Sequence, residues 1–183
     1  MELLALIQQS LRLHALVAAC AVCWSASAQA RCLGVPNVAI PPSTAATAFT
    51  IHTDGTVVAR ATRLMWARCL VGQSLDNGAC TGQPATVRWE DAVSAARLAR
   101  LGGYSDWRLP NPKELLSIID DRCAAPSLNA DVFPIPTSYF GAWTGTSTGG
   151  LTGMRAGAWI VDSNGQTITH PEQASVWLVR EAR

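Results

Sequence analysis

The stretch from Gly103 to Asp121 (GYSDWRLPNPKELLSIIDD) constrains the fold of this chain more than any other part of the sequence. It places a rigid turn directly before a helix start. Asn111 is a good N-cap, Pro112 suits the first helical position, and the carboxylate of Glu114 can reach back to the amide of the cap. We therefore predict a helix from Pro112, with an apolar stripe made of Leu115, Leu116, Ile118 and Ile119.

A second helix is predicted immediately before this turn, over residues 89 to 101 (WEDAVSAARLARL). Apolar residues recur there at helical spacing, with acidic residues in the first turn and arginines in the last, as the helix dipole favours. Gly102 and Gly103 can adopt the left-handed conformation that ends a helix. Between the two helices, Tyr104, Trp107 and Leu109 alternate with polar residues, which predicts a short, half-buried extended segment.

The rest of the pattern predicts strands joined by turns. Asp54-Gly55 stands between two alternating runs and predicts a hairpin. Asp162 to Gly165 (DSNG) predicts a turn. The other predicted strands are residues 64–66, 139–143, 158–161, 166–169 and 175–180, and the long predicted loops are residues 71–84 and 144–157.

The first thirty residues have the pattern of an export signal. Arg12 and His14 precede an apolar run, and small residues suited to cleavage end at Ala30. An alternative is a lipobox, in which Cys20 would become a lipidated N-terminus. We predict a signal peptide over 1–30, an extended lead-in over 31–48, one domain over 49–183, and a secreted or periplasmic location. The apolar run is shorter than the roughly 20 residues of a membrane-spanning helix.

Four cysteines follow this leader, an even number that favours disulfides in an exported chain. Cys69 and Cys80 fit a staple across a polar loop better than a metal site, because only two histidines follow the leader. Cys32 and Cys123 would then form the second bridge, although the sequence alone leaves three pairings open. We predict no metal and no cofactor.

The charge distribution gives no reason to expect a nucleic-acid partner. The net charge of the 183 residues is +1, and the arginines that supply nearly all of the basic charge do not cluster. Lys113 is the only lysine. Arginine is well suited to pair with carboxylate or sulfate in two-pronged geometry.

Several tryptophan-containing motifs together point to one family. The Trp-Arg-Leu-Pro turn of residues 107–110, followed by Lys-Glu-Leu, is the most specific of them. On these motifs the chain, from about Phe49 onward, resembles the Lcl C-terminal domain family, a domain of unknown function in bacterial collagen-like adhesins. Arg63 stands where that family usually has glycine, and this sequence has no Gly-X-Y repeat. The motif residues with a structural role are Trp66, Trp89, Asp91, Trp107, Arg108, Leu109, Pro110, Glu114, Trp143, Trp159 and Arg180.

The resemblance implies an α+β, C-type-lectin-like fold, in which two helices pack on a curled antiparallel sheet with long loops. It also implies an adhesin-like, non-catalytic module that binds a sulfated or other anionic glycan. Exposed loops on a rigid scaffold are the expected binding surface, and an arginine there pairs well with sulfate. The ligand candidates are Thr144, Thr146, Arg155, Asp162 and Asn164.

Each of these features also has a purely structural interpretation. The loop from residue 144 to 157 is explained equally well as solvated polar sequence, and DSNG as a simple turn. The tryptophans are expected to pack in the core rather than to stack on sugars. Asp120 and Asp121 follow the second helix at an unfavourable pole of its dipole, which predicts either a ligand or a frayed helix end, and we favour the latter.

An enzyme and a structural subunit are the two alternatives to a glycan-binding module. Formylglycine-generating oxidases have a comparable arginine-leucine-proline turn, but their chemistry needs a reactive cysteine pair late in the chain, and the last cysteine here is Cys123. Since the spacing suggests no catalytic triad either, we predict no enzyme. A structural subunit that binds a pilus or envelope protein stays open, as does the oligomeric state.

Overall fold

The computed structural model describes residues 31–149, 158–169 and 172–183. These residues form an α+β domain that is mostly antiparallel sheet, with two short helices, α1 (Trp89–Leu98) and α2 (Pro112–Leu116), and one 3-10 turn (Ala46–Ala48). The strands are β1 (Val35–Pro36), β2 (Phe49–Ile51), β3 (Thr56–Ala59), β4 (Leu64–Ala67), β5 (Ser74–Asp76), β6 (Ala79–Thr81), β7 (Thr86–Val87), β8 (Cys123–Ala124), β9 (Gly141–Ser147), β10 (Ala158–Asp162), β11 (Thr167–Thr169), β12 (Ala174–Ser175) and β13 (Val179–Glu181).

Two larger sheets carry the fold. One has the strand order β11-β10-β9-β12-β7, and the other has the order β13-β4-β3-β2. Neighbouring strands are antiparallel except for β12 and β9, which are parallel with Ser175 opposite Ala142. Strands β1 and β8 form one two-stranded sheet, and β5 and β6 form another.

A cluster of aromatic side chains lies within the hydrophobic core. Trp66, Phe133 and Trp177 are almost completely buried, and the ring of Trp177 meets Trp66, Phe133 and Tyr139 edge to face. This geometry is favoured by the quadrupoles of aromatic rings. Core packing is therefore confirmed for Trp66 and Trp177, and also for Trp107 and Trp143, which are at most 3% exposed.

Two tight hairpin turns occur in the fold, and only the first of them was predicted. The predicted hairpin at Asp54-Gly55 is confirmed, with Gly55 at a φ of 84° between β2 and β3. The predicted polar loop over residues 71–84 contains a further hairpin, β5–β6. Asn77 and Gly78 form its turn with positive φ values of 47° and 81°, the preferred residues for such a tight hairpin turn.

Both predicted helices exist, but both end early. Helix α1 ends at Leu98, and Gly102 and Gly103 do not cap it; they form a turn in which Leu101 and Tyr104 exchange backbone hydrogen bonds of 3.3 and 3.0 Å. Helix α2 begins as predicted and ends at Leu116, three residues before Ile119, the last residue of the predicted apolar stripe. The Ser117 hydroxyl donates to the Glu114 carbonyl at 2.6 Å, and such competition with the helix backbone favours an end.

The predicted final strand, residues 175–180, is wrong as one element. Ala174–Ser175 belongs to the five-stranded sheet and Val179–Glu181 to the four-stranded sheet, so the chain crosses between the sheets at residues 176–178. A continuous apolar run gives no sign of this crossing, because each residue is buried whichever sheet it faces.

Both predicted disulfides are confirmed, Cys32–Cys123 and Cys69–Cys80. The first fixes the lead-in against the domain, where β1 pairs with β8. Such bridges fit an oxidising compartment. Within the described residues, no helix has the length and hydrophobicity needed to cross a membrane.

Candidate functional site

The turn that precedes α2 is held by a cluster of charged side chains. The guanidinium of Arg108 donates to both carboxylate oxygens of Glu114, at 2.7 and 2.8 Å, and to Glu181 at 3.1 Å. The predicted capping box is complete: the Asn111 side chain accepts from the Glu114 N–H at 2.9 Å, and the Glu114 carboxylate accepts from the Asn111 N–H at 2.7 Å. Glu114 thus joins the turn, the helix start and, through Arg108, the last strand.

A second arginine, Arg180, connects the last strand to the segment that precedes this turn. Arg180, in β13, donates to both oxygens of Asp106 at 2.6 and 3.0 Å, and its guanidinium lies 3.9 Å from the ring centre of Tyr104. The Arg180 side chain is 5% exposed, so its charge is held by these partners rather than offered to solvent. Arg108, Glu114 and Arg180 are therefore parts of the scaffold, whereas Asp91, another charged residue of the motif, is 62% exposed and lies 3.8 Å from Arg88.

The pairing also sets the ionisation of Glu114. Partial burial acts to raise the pKa of its carboxyl, but the hydrogen bonds from Arg108 and from the Asn111 N–H, with the charge of Arg108, hold that pKa below its usual value. The hydrogen bond to Glu114 correspondingly raises the pKa of Arg108. Both groups stay ionised at neutral pH, and acid should weaken the turn.

Replacing Glu114 by glutamine should lower the free energy of unfolding by about 1 kcal/mol at pH 7. Glutamine can keep the capping contact but loses the charge-assisted bonds to Arg108, which is partly exposed and screened by water. Because the folded-state pKa of Glu114 is lowered, this difference should be complete above the unfolded pKa of about 4.3 and should vanish as pH falls through the folded value. Urea unfolding from pH 7 to pH 2 measures it.

Asp91→Asn is the matched control for this experiment, because the Asp91 side chain is 62% exposed and lies 3.8 Å from Arg88. It should change stability by less than about 0.5 kcal/mol at any pH. A Glu114→Gln deficit that persists undiminished at pH 2 would contradict the electrostatic explanation and point to lost shape complementarity.

The tryptophan N–H groups serve the scaffold as well. Trp89 donates to the Thr144 carbonyl at 2.9 Å, Trp143 to Val87 at 2.8 Å and Trp177 to Ala67 at 2.7 Å. Trp89 and Trp159 are half-buried. The buried Trp66 N–H has no hydrogen-bond partner among the described residues.

The predicted boundary between a strand at 139–143 and a loop at 144–157 is wrong, because β9 continues to Ser147 and includes Thr144 and Thr146. The described ligand candidates lie at the two ends of the β9–β10 pair. Thr146 is exposed near the end where Ser147 pairs with Ala158, whereas Asp162 lies opposite Gly141 at the other end, roughly 20 Å away along the strand. Thr144 is fully buried, and its hydroxyl accepts from the Thr146 N–H at 3.3 Å. Arg155 lies outside the described residues.

Asp162 and Asn164 have local backbone partners. One oxygen of Asp162 accepts from the N–H groups of Asn164 and Gln166, at 2.9 and 2.8 Å, and the Asn164 side chain accepts from the Ala125 N–H at 3.1 Å. These bonds form the predicted DSNG turn and attach it to the chain beside β8. Among the described residues, no three acidic, histidine or cysteine side chains come close enough to hold a metal ion.

Asp120 fits neither of the two predicted roles, a ligand-binding residue or part of a frayed helix end, because it is buried in the fold. Its side chain is completely buried, one oxygen accepts from the Arg122 N–H at 3.1 Å, and the other lies 3.9 Å from the Arg122 guanidinium. Asp120 and Arg122 therefore form a buried ion pair below the turn that follows α2.

An open groove of 430 Å3 lies beside the Arg108–Glu114 pair, and sequence reasoning did not identify it. It forms where the β3–β4 turn, α2 and β13 meet. Lys113, the only lysine of the sequence, is one of its lining residues, but no pattern in the sequence predicts the groove. Apart from Glu114, the lining residues are Thr62, Leu64, Asn111, Lys113, Ser117 and Glu181.

The comparisons with known proteins agree with the motifs on which the resemblance rests. The model of the Lcl C-terminal domain matches residues 55–180, which is most of the chain. No curated protein and no solved structure matches it. With this match, and with the tryptophan-arginine-leucine-proline turn built as described above, the chain belongs to the Lcl C-terminal domain family.

Proposed function

We propose that this domain is an exported, non-catalytic binding module that recognises a sulfated or other anionic glycan at a surface. One observation carries the proposal: Arg108, Glu114 and Arg180, three of the charged residues of the shared motif, are engaged with one another or with neighbouring carboxylates. The motif therefore supports a rigid scaffold, and recognition falls to the loops that the scaffold presents.

The loop end of the β9–β10 pair is the surface best suited to this role. Thr146 and Ser147 are exposed there, and the Gly145 N–H donates to the Pro110 carbonyl at 2.8 Å, which fixes the base of the loop to the family turn. Arg88, whose side chain is 74% exposed, adds a cation to this surface. Its neighbour Trp89 donates to the carbonyl of Thr144 in β9, which holds Arg88 close to that strand. Hydroxyls and arginines on a fixed base suit a polyhydroxylated anion.

The finer aspects of fold and location belong to the same proposal. We take the two helices and the curled sheets as a C-type-lectin-like arrangement, which presents long loops from a disulfide-linked base. Cleavage after Ala30 would release the domain to the periplasm or the exterior, and lipidation at Cys20 is the alternative. The two disulfides support export because they need an oxidising compartment.

A glycan array tests the proposal, with the folded and disulfide-bonded chain from Arg31 onward probed at low and high salt, with and without calcium. We expect binding to sulfated glycans that fades as salt rises, because charge pairs at a surface are screened. Arg155→Ala should weaken this binding about tenfold or more, the value of one lost charge-assisted hydrogen bond, without changing thermal stability.

Arg97→Ala is the matched control, since Arg97 is an exposed arginine on α1 outside this surface. It should bind like the unaltered chain. Equal binding by the Arg155 variant would remove the loop from the proposal. Silence across the array would favour the second candidate, a structural subunit that docks another envelope protein.

A specific observation supports that second candidate. Val35 and Val38 in the lead-in are 71% and 93% exposed, and Ile40 is 38% exposed beside them. The turn that presents them is ordered by the Asn37 side chain, which accepts from the Ala39 N–H at 3.0 Å. Clustered aliphatic side chains in water are typical of protein interaction surfaces.

A further inference from the structure

The groove beside α2 keeps several polar groups available to a ligand. Lys113 is exposed, and no carboxylate among the described residues pairs with it. The Glu181 side chain is 65% exposed, with one oxygen bonded to Arg108. Asn111 uses its side-chain oxygen for the cap, which leaves its amide N–H2 as a donor.

We infer that this groove is a subsite for one acidic sugar ring, which carries either a carboxylate or a sulfate. The anion pairs with Lys113, and the ring hydroxyls bond to Thr62, Asn111 and Glu181. This inference rests on the proposed function, because it adds a second contact region for the same class of ligand.

The signs of the charges around the groove determine how an acidic sugar would be oriented in it. Glu114 is neutralised by the bidentate pair with Arg108, and Nη2 of Arg108, which is one of the two nitrogens in that pair, also donates to Glu181 and partly offsets its charge. Lys113 therefore provides the positive end of the groove and Glu181 the negative end. A sugar acid satisfies both, because carboxylates are good acceptors for sugar hydroxyls and an ammonium binds the acid group.

The walls of the groove are pre-organised. Asn111 and Lys113 lie on the capped start of α2, whose two reciprocal cap bonds are 2.7 and 2.9 Å. The Leu64 floor is 5% exposed and lies in β4, paired with Glu181 in β13. Rigid walls reduce the ordering cost of binding, and 430 Å3 is within the range of about 300 to 1,000 Å3 for small-molecule sites.

The β3–β4 turn, which forms another wall of the groove, contains a strained residue. Arg63, between the lining residues Thr62 and Leu64, has a φ of 55°, a left-handed conformation that favours glycine. Its carbonyl accepts from the Ala182 N–H at 2.9 Å, which fixes the β3–β4 turn to the end of the chain next to Glu181. Backbone strain retained at a non-glycine residue often accompanies a binding role.

The groove also adjoins the loop end of β9. Pro110, whose carbonyl accepts from the Gly145 N–H at 2.8 Å, directly precedes the groove residue Asn111. An extended acidic glycan can therefore contact the Thr146 surface and the groove on either side of the same turn.

NMR titration of the folded chain from Arg31 onward tests the groove with three probes: glucuronate, glucose 6-sulfate and neutral glucose. We expect the amide signals of Thr62, Asn111, Lys113 and Ser117 to shift with both acids and to shift much less with glucose. Lys113→Met should weaken the binding of both acids at least tenfold, because one charge-assisted contact is lost. Arg97→Ala, which removes an exposed cation elsewhere, should bind like the unaltered chain.

Different failures identify different errors. If no groove amide shifts with either acid, or if Lys113→Met binds both acids as tightly as the unaltered chain, the groove assignment is overturned whatever the array shows. Groove shifts that depend on Lys113, combined with silence on the array, would uphold the subsite and reject recognition of a surface glycan.

Discussion

Replacing Trp177 by alanine is expected to lower the free energy of unfolding by about 3 to 5 kcal/mol. Trp177 is 1% exposed, and its indole N–H donates to the Ala67 carbonyl at 2.7 Å. Removal of the ring leaves a cavity at the centre of the aromatic cluster and takes a donor away from a buried carbonyl. Small domains are stable by only about 5 to 15 kcal/mol, so the variant should be close to unfolding.

The position of Trp177 explains why its effect should be larger than that of the other tryptophans. Its ring centre lies 5.2 Å from Phe133, 5.7 Å from Tyr139 and 6.2 Å from Trp66, all in edge-to-face geometry. It also stands where the chain crosses from β12 to β13. The ring thus joins the two large sheets, and its loss should weaken both sheets together.

Urea unfolding followed by circular dichroism measures this effect, with two comparison variants. Trp177→Phe keeps an aromatic ring and should cost less than Trp177→Ala, whereas Phe140→Ala removes a side chain that is already 58% exposed and should cost at most about 1 kcal/mol. A loss of under about 1.5 kcal/mol for Trp177→Ala would show that the two sheets do not depend on this cluster.

The parts of the fold that sequence reasoning predicted well are those determined by chemistry within a few residues. The capping box of Asn111 and Glu114 and the Asp54-Gly55 turn each need only local geometry, and both are formed as expected. The Cys69–Cys80 staple is similarly local. The Asn77-Gly78 hairpin belongs to the same class, and its signal was present in the sequence although the polar-loop interpretation passed over it.

The errors occur where distant contacts decide the local structure. Gly102 forms a turn rather than a helix cap, because the backbone there lies against Asp54 and Thr56; a side chain on Gly102 would come within 2.9 Å of both. The break between Ser175 and Val179 depends on which sheet each strand joins. Neither contact can be read from periodicity, which reports burial but not the partner.

The sequence was sufficient to predict the structural residues around the candidate site, but not the groove at its surface. The sequence identified Arg108 and Glu114 as structural, and the structure adds that they hold each other and Glu181. The groove depends on Thr62 and Glu181, which are far apart in the chain and meet only because β13 pairs with β4. Strand order is a non-local property, so no spacing rule could have placed them together.

Removal of the Cys32–Cys123 bridge is expected to cost about 4 to 5 kcal/mol. In the chain-entropy account, a cross-link stabilises the fold by restricting the unfolded chain, and the benefit grows with the length of the closed loop. The two cysteines are 91 residues apart, whereas Cys69 and Cys80 are 11 apart, for which the same account gives about 3 kcal/mol. The paired variants Cys32→Ala/Cys123→Ala and Cys69→Ala/Cys80→Ala, compared by urea unfolding, measure the difference.

The lead-in makes this comparison informative about the boundary of the domain. Besides the disulfide, its attachments include the β1–β8 pairing, the Asn37 N–H bond to the Arg122 carbonyl at 2.7 Å, the bond from the Asn129 side chain to the Thr44 carbonyl at 2.8 Å and the exposed Arg31–Asp131 pair. If the Cys32 variant loses more stability than the Cys69 variant, the lead-in folds as part of the domain, although the family match begins only at residue 55. If it loses less, the long cross-link restrains a segment that is already loosely attached, and the cooperative unit begins nearer Phe49.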